Sequence, residues 1–443
     1  MNHFSLRMKN LKREALLIII AILISIPVII WMYTLAPGKS PAVNLTGKYI
    51  FSAGRLFALT GFVFILVQYV LSSRIKLIER GIGLDRLFII HRICGRVGLI
   101  LLLFHPALLF IGLKLQNNDF HFFTPLKIIG EITLILLSVA AGTALLYGHV
   151  KMKYETWKNT HKIIYVVFPL AFVHSFLINS DVKEIIVLKI FWLFLLSIFL
   201  IVLIFKTRMR LYVRNHPYHV AEVRQETHDI WTLSFNGEYP AFNPGQFTLI
   251  NLVRDGIISE SHPFTISSSP TNNRLSVSIK SVGDFTSTIC NTRTTDYAYI
   301  EEPFGIFSFL NYDDNDLILI AGGIGITPFI SMLRYIFDKK LKKNIVLLWG
   351  NKTEKDIAFK NEMDKMASEM TSLKLVHIMS RQNDWPGEKG YIDAEKIKKY
   401  VDNFQNGQFF ICGTLQMMLK IEETLKKLGV SKRRIHYERF AVR

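Results

Sequence analysis

Cysteine is scarce. Three residues in 443, Cys94, Cys290 and Cys412, lie far apart, which excludes a close zinc pair, an iron-sulfur spacing and a dense disulfide framework. Any metal must rest on other ligands. Acidic side chains are also few: 35 Asp and Glu stand against 53 Lys and Arg, for a formal net charge of +18. That excess would point to nucleic acid if it formed one patch on a soluble domain, and it is spread along the chain instead. Tandem repeats, low-complexity segments, a calcium-loop pattern and the ordinary G-x-G-x-x-G fingerprint are all missing. Apolar residues are plentiful. They make up 50% of the chain and raise the mean hydropathy to +0.28, too apolar for a wholly soluble or disordered protein. The length predicts about three globular units.

Six apolar stretches, 15–36, 50–71, 87–113, 126–147, 161–178 and 185–205, approach the ~20 residues needed to cross a bilayer. The first is too long for a signal peptide and no small-residue cleavage site follows it, so it is expected to remain in the mature chain. Lys and Arg near span ends stay on the cytoplasmic side. One set of loops, beginning with Arg7, Arg74, Lys151 and Lys206, holds fifteen such residues; the alternate loops, from Lys39 to Lys189, hold six. A multi-pass protein of the cell membrane with both termini cytoplasmic is expected. The net charge is then explained by topology and contact with anionic lipid.

Polar residues inside spans point to function. The third span carries His91 and His105, fourteen residues apart, which places them on one helix face about 21 Å apart along the axis. In the fifth span His161 and His174 are thirteen apart, leaving an ideal helix about 140° out of register. Pro169 lies between them and can kink the helix to re-aim one ring. Both spans run outward, so His91 pairs in depth with His161 and His105 with His174. Neutral imidazoles from two helices suit a haem iron held on both axial sides. Arg92, Arg96 and Arg55 are natural partners for haem propionates; the alternative is snorkelling or an internal pair with Glu131.

After residue 215 alternation replaces the long apolar runs. HVAEVRQE, IWTLSF, QFTLINLV and RLSVSIK, separated by glycine turns, predict an antiparallel barrel over about 216–310. From about 316, DLILIAGGIGITPFISMLRYIF, NIVLLWGNK, LKLVHIMSR and QFFICGT predict buried parallel strands alternating with helices, a doubly wound sheet. The predicted domains are 1–210 (six-helix transmembrane), 211–312 (β-barrel) and 313–443 (nucleotide-binding). In Gly322-Gly323-Ile324-Gly325-Ile326-Thr327-Pro328 a strand ends in glycines and a helix begins, which lets the backbone and its free amides approach a pyrophosphate. Upstream, His262-Pro263-Phe264-Thr265 sets an aromatic beside a hydroxyl, and Lys280 leads into Gly283-Asp284-Phe285-Thr286, a glycine turn with a threonine.

In sequence order these motifs resemble the NADPH oxidase and ferric reductase superfamily, a six-span, two-haem membrane domain joined to a ferredoxin-reductase-like dehydrogenase. The resemblance covers nearly everything after residue 50. It implies that His91 and His161 ligate the inner haem and His105 and His174 the outer. His262, Pro263, Phe264 and Thr265 would hold FAD, with Phe264 against the isoalloxazine and Thr265 at its reactive edge, and Lys280, Gly283 and Thr286 toward the pyrophosphate. Gly322, Gly323, Gly325, Thr327 and Pro328 would cradle NADPH or NADH. Cys412 and Gly413 would lie near the nicotinamide, and Phe440 would shield the flavin. Lys352 and Arg381 end successive strands and offer cations to a 2′-phosphate.

The implied activity is an NAD(P)H oxidase that passes electrons through FAD and two b-type haems to oxygen on the outer side, giving superoxide. A ferric-chelate reductase would use the same path. Arg55 could stabilise an anionic product or bind a propionate. A channel or transporter with a nucleotide-sensing domain is the reading of another class, and it leaves the paired histidines unexplained. Expected partners are the lipid bilayer, NAD(P)H, and oxygen or a ferric chelate, with no nucleic acid and no obligatory protein partner.

Overall fold

A computed structural model describes residues 2–438 except 35–43, 119–123, 148, 151, 153, 179, 313–315, 403 and 405. The chain divides into two compact units, one of Asn10–Arg210 and one that groups the residues before Asn10 with the chain from Leu211 on.

The first unit is helical: α1 (Asn2–Thr34), α2 (Leu45–Leu71), α3 (Lys76–Ile82), α4 (Leu84–Leu115), α5 (Pro125–Leu146), α6 (Tyr154–His161), α7 (Ile164–Ile178), α8 (Ser180–Glu184) and α9 (Ile186–Asn215), whose last turn passes into the second unit. Among the described residues five segments are long and apolar enough to cross a membrane, whereas the apolar part of α1, Leu17–Tyr33, is shorter. Six spans were expected; five meet the length.

Helices α2 and α4 pack antiparallel at close range because glycines recur every seven residues along the seam. A Cβ on Gly61 would stand 2.6 Å from Leu102 Cγ, and one on Gly98 would stand 2.8 Å from Phe64 Cβ. Without a hydrophobic drive between helices in lipid, such small residues give the contact area that larger ones would block. Behind this seam Phe62 stacks on Phe168 and Trp192 at 5.0 and 5.1 Å, and Phe168 on Phe199 at 4.4 Å. These rings join α2, α7 and α9, each pair adding about 0.5–1.5 kcal/mol beyond its buried area.

The fifth expected span is broken, but not at Pro169. Its helix stops at His161 and restarts at Ile164. Short-range bonds from Ile163 N to Thr160 O (3.1 Å) and from Tyr165 N to Lys162 O (3.0 Å) tighten the turn between them. The Tyr69 hydroxyl donates to the Ile164 carbonyl there. Hydropathy changes at this break too, from the polar Lys158-Asn159-Thr160-His161-Lys162 to the apolar run that begins at Ile163.

In the second unit seven antiparallel strands curl toward a barrel: β1 (Tyr218–Thr227), β2 (Ile230–Asn236), β3 (Phe247–Arg254), β4 (Ile257–Ile258), β5 (His262–Thr265), β6 (Leu275–Lys280) and β7 (Tyr297–Ile300). Their order is β4-β3-β7-β1-β2-β6, with β5 on β3 and a bridge from Ile266 to Val277 drawing the two ends together. Inward residues such as Val220, Leu233, Phe235, Ile250, Val277 and Ala298 form its core. A short helix, α10 (Asp284–Ser287), follows β6.

The remaining strands are β8 (Asp316–Gly322), β9 (Asn344–Asn351), β10 (Leu373–Met379), β11 (Glu388–Lys389), β12 (Gln408–Cys412) and β13 (Ile435–Tyr437). They form one parallel sheet, β11-β10-β9-β8-β12-β13. Helices α11 (Thr327–Asp338), α12 (Lys360–Glu369), α13 (Ala394–Tyr400) and α14 (Leu415–Lys427) connect them. Two apolar cores, one on each face, cover the sheet. The expected doubly wound sheet is present, and in place of the expected closed barrel the antiparallel strands form a half-barrel. Arg334 of α11 ties them together: its guanidinium donates to the Ser267 carbonyl (2.7 Å) and grips Glu362 through two 2.6 Å bonds.

Candidate redox sites

Four histidines sit on α4, α6 and α7. His91 and His161 face one another with ring centroids 6.4 Å apart and ring planes at 72°. Metal–imidazole bonds are about 2 Å long, so one metal with a half-ring on each side fits that gap. His105 and His174 also lie within electrostatic reach of each other. Three of the rings are oriented by main-chain carbonyls. His105 Nδ1 bonds Gly54 O at 2.9 Å, His161 Nδ1 bonds Ala140 O at 3.1 Å, and His174 Nδ1 bonds Leu126 O at 2.7 Å. A carbonyl only accepts, so each Nδ1 carries the proton and each Nε2 keeps a free lone pair. That is the tautomer a metal ligand needs. Gly130 of α5 admits the His174 ring: a Cβ there would lie 2.6 Å from Nδ1 and 2.8 Å from Nε2.

Sequence spacing missed Gly130, and it also missed the partner of Arg55. That guanidinium is bound by Asp181, with Nε donating to Oδ2 at 2.6 Å. The two residues are far apart in sequence, and nothing in the local pattern joins them. Arg92 and Arg96 project from the exposed side of α4.

In the barrel, β5 pairs with β3 so that His262 lies opposite Ile250 and Thr265 opposite Phe247. Alternation puts His262 and Phe264 on one face and Pro263 and Thr265 on the other; Thr265 is buried. Phe285 of α10 completes a shelf of rings. It stacks on His262 at 4.0 Å and 7°, lies 6.3 Å from Phe264, and has the Arg254 guanidinium 5.9 Å from its centroid. Arg254 is itself held by Thr288. Neither Phe285 nor Arg254 was assigned a role from sequence. Thr286 Oγ1 accepts from Val282 N at 3.0 Å and Gly283 N at 2.9 Å, which shapes the turn, and Lys280 pairs with Asp229 at 3.0 Å.

The glycine turn lies at the carboxyl end of β8, and Cys412-Gly413 lies at the carboxyl end of its neighbour β12, with Cys412 in register with Ala321. From β8 the chain winds one way to β11 and the other way to β13, so these two turns flank the topological switch point where open α/β sheets bind ligands. The turns touch. A Cβ on Gly325 would stand 2.6 Å from the Cys412 carbonyl carbon and 2.9 Å from Gly413 N, whereas Gly323, at φ +52°, faces open space. Gly325→Ala must therefore push main chain apart. Overpacking of this kind costs about 1–3 kcal/mol, so the variant should unfold at lower temperature and lose the stabilisation that added NADP+ gives the native protein; a thermal melt with and without the nucleotide measures both. Burial, and then the nearby Glu438, push the Cys412 thiol well above its ordinary range. It is a neutral packing group at pH 7, not a thiolate. Thr327 donates to Ile324 O at 3.1 Å, and Pro328 occupies the first turn of α11.

At the far ends of β9 and β10 the structure brings Lys352 and Arg381 together through a 2.8 Å bond from Arg381 N to Lys352 O, both side chains exposed. Beside them Asn351 is 5% exposed, and among the described residues neither end of its amide has a protein partner. A polar residue ending an apolar strand is the only sequence sign of it. Phe440 lies outside the described residues.

Three family descriptions match the chain: a ferric reductase like transmembrane component over residues 57–172, an FAD-binding domain over 232–299 and an oxidoreductase NAD-binding domain over 319–423. This is the architecture of the NADPH oxidase and ferric reductase superfamily. A transmembrane component fused to an FAD- and NAD-binding reductase supports electron transfer across a membrane by an oxidoreductase. Among curated relatives, the glycine betaine monooxygenase reductase subunit of Chromohalobacter salexigens is 28% identical over 238 residues, 51% of this chain and 64% of that protein. The flavohemoprotein of Bacillus subtilis is 25% identical over 236 residues, 51% of this chain and 59% of that protein. The chain thus spans a little under two thirds of the length of these relatives. A solved FAD/NAD binding domain of nitric oxide dioxygenase from Vibrio cholerae is 19% identical, with a TM-score of 0.46, covering 50% of this chain and 97% of that one.

Proposed function

We propose that this protein takes electrons from cytoplasmic NADPH or NADH and delivers them through FAD and two bis-histidine b-type haems to oxygen outside, forming superoxide. The observation that carries the reading is the set of four intramembrane histidines: two rings face each other at metal-clamping distance, and three present Nε2 because a carbonyl holds Nδ1. His91 with His161 would hold the inner haem and His105 with His174 the outer. Bound FAD would convert a two-electron hydride into the single electrons that haem carries. The domains would be 1–210, 211–312 and 313–443, with both termini cytoplasmic.

The residues around each site support this division of work. His262, Phe264 and Phe285 offer a cluster of stacked rings for the flavin, and in the glycine turn beside Cys412-Gly413 it is Gly323 that faces open space where the dinucleotide would lie. The buried Asn351 amide and the two adjacent cations suit the polar adenosine end. With an inside-negative potential, outward electron movement is downhill by roughly 2.3 kcal/mol per electron per 100 mV.

Phe264→Ala removes one ring of the shelf and Thr265→Ala a buried hydroxyl. A net hydrogen bond is worth about 0.5–1.5 kcal/mol and an aromatic stack a similar amount, so the pair should weaken FAD binding by roughly ten- to hundredfold while the haem absorbance stays as in wild type. Flavin content after dialysis reads the first effect, and a wild-type flavin content in the double variant would remove both residues from the site.

One observation favours a second reading. Asp181 already compensates Arg55, which leaves that guanidinium less able to stabilise an anionic product and fits a ferric-chelate reductase equally well. The deciding experiment is NADPH consumption by the purified protein with and without oxygen, run beside superoxide dismutase-sensitive and ferric-chelate assays. Oxygen-dependent turnover with a dismutase-sensitive signal supports the oxidase; chelate reduction that persists without oxygen supports the reductase. Purified protein lacking haem absorbance would overturn both.

A further inference from the structure

The seam between α2 and α4 repeats every seven residues: Gly47, Gly54, Gly61 and then Gln68 on one helix, His91, Gly98, His105 and Gly112 on the other. Antiparallel packing sets Gly54 level with His105 and Gln68 level with His91. At Gly54 the missing side chain exposes a main-chain carbonyl to the His105 ring. At position 68 a side chain fills that place. Its carboxamide lies 2.7 Å from His91 Nδ1 and 2.9 Å from the His91 carbonyl, and its other end lies 3.0 Å from Gly95 N.

We propose that Gln68 is the positioning residue for His91 and that its carboxamide sets the reduction potential of the inner haem; this rests on the haem reading above. His91 is the one histidine of the four whose Nδ1 meets a group able to donate or accept. With its ring free, the surrounding atoms are best satisfied when the amide nitrogen faces Nδ1 and the amide oxygen takes the Gly95 N–H. An imidazole that ligates through Nε2 carries its proton on Nδ1 and needs an acceptor there. The two ends of a carboxamide have nearly the same shape, so turning the amide over supplies one without moving backbone, in exchange for setting the amide oxygen beside the His91 carbonyl and the amide nitrogen beside Gly95 N. An acceptor on Nδ1–H raises the basicity of the ring and favours the oxidised metal.

The test is a redox titration of haem absorbance on the full-length protein in detergent, with haem per protein measured alongside. Wild type should titrate as two components. Gln68→Leu removes the acceptor and should shift one component about tenfold toward the reduced form, about 59 mV for a one-electron couple, leaving the other in place. Gln68→Glu keeps an acceptor and should hold that component at or below its wild-type potential; if the leucine variant loses the inner haem altogether, the glutamate variant must retain it. Unchanged potentials in Gln68→Leu at full haem content, equal shifts of both components, or a glutamate variant that behaves like leucine would each overturn the proposal while leaving the haems in place. Wild-type protein without two haem components would overturn the haem reading itself.

Discussion

His105→Leu and His174→Leu should each yield protein with half the wild-type haem, no electron delivery to the outer acceptor, and unchanged NAD(P)H-driven reduction of a soluble dye. Leucine approximates the volume of imidazole but offers no lone pair, so one axial position of the outer site is lost. The cost to the fold is small, because Gly54 O and Leu126 O, which hold the two rings, are helix carbonyls that keep their backbone partners. The dehydrogenase lies in a separate compact unit, and hydride transfer there does not need the outer histidines. Gly130→Ala should reproduce the haem loss without touching a ligand, since its Cβ would overlap the His174 ring. Pyridine haemochrome analysis per mole of protein decides the matter: two haems retained in both leucine variants would end the ligand assignment.

Much of this architecture was legible in sequence because periodicity is local. The run HVAEVRQE lies in β1, where alternation reports a half-buried strand, and IWTLSF and FTLINLV lie in β2 and β3, where short β-branched and aromatic runs between turns report strands buried along most of their length. The fourteen-residue step from His91 to His105 likewise encodes a shared helix face. Contacts made across the fold left no such trace. Asp181 reaches Arg55 from a different helix, and Phe285 stacks on His262 from the far side of the barrel strands. The thirteen-residue histidine spacing was read as a kink at Pro169, yet the chain relieves it with a non-helical turn at Lys162-Ile163. A step from the polar Asn159-Thr160-His161-Lys162 to the apolar Ile163-Ile164-Tyr165-Val166 marks that turn, whereas no proline does. Gln68 was passed over because a glutamine late in an apolar helix looks like an interfacial residue until its level with His91 is seen.

Arg381→Ala should raise the Michaelis constant for NADPH by about ten- to hundredfold and leave that for NADH nearly unchanged. The two nucleotides differ by a 2′-phosphate, which needs cationic partners. The bond from Arg381 N to Lys352 O holds the ends of β10 and β9 side by side, so two cations converge where the adenosine end of a nucleotide lies on a doubly wound sheet. Arginine can grip a phosphate with two parallel bonds, whereas lysine acts as a point charge, so the larger share should fall on Arg381. A hydrogen bond to a charged group is worth about 1.5–3 kcal/mol, and each 1.4 kcal/mol is a factor of ten. Because the side chain is exposed, its loss leaves no buried group stranded and the fold should tolerate it. Salt supplies an internal control: screening reaches exposed charges first, so the NADPH constant of the wild type should climb with ionic strength more steeply than that of the variant. Equal effects on the two nucleotides, or a native preference for NADH, would return Lys352 and Arg381 to the ordinary role of solvated cations at strand ends.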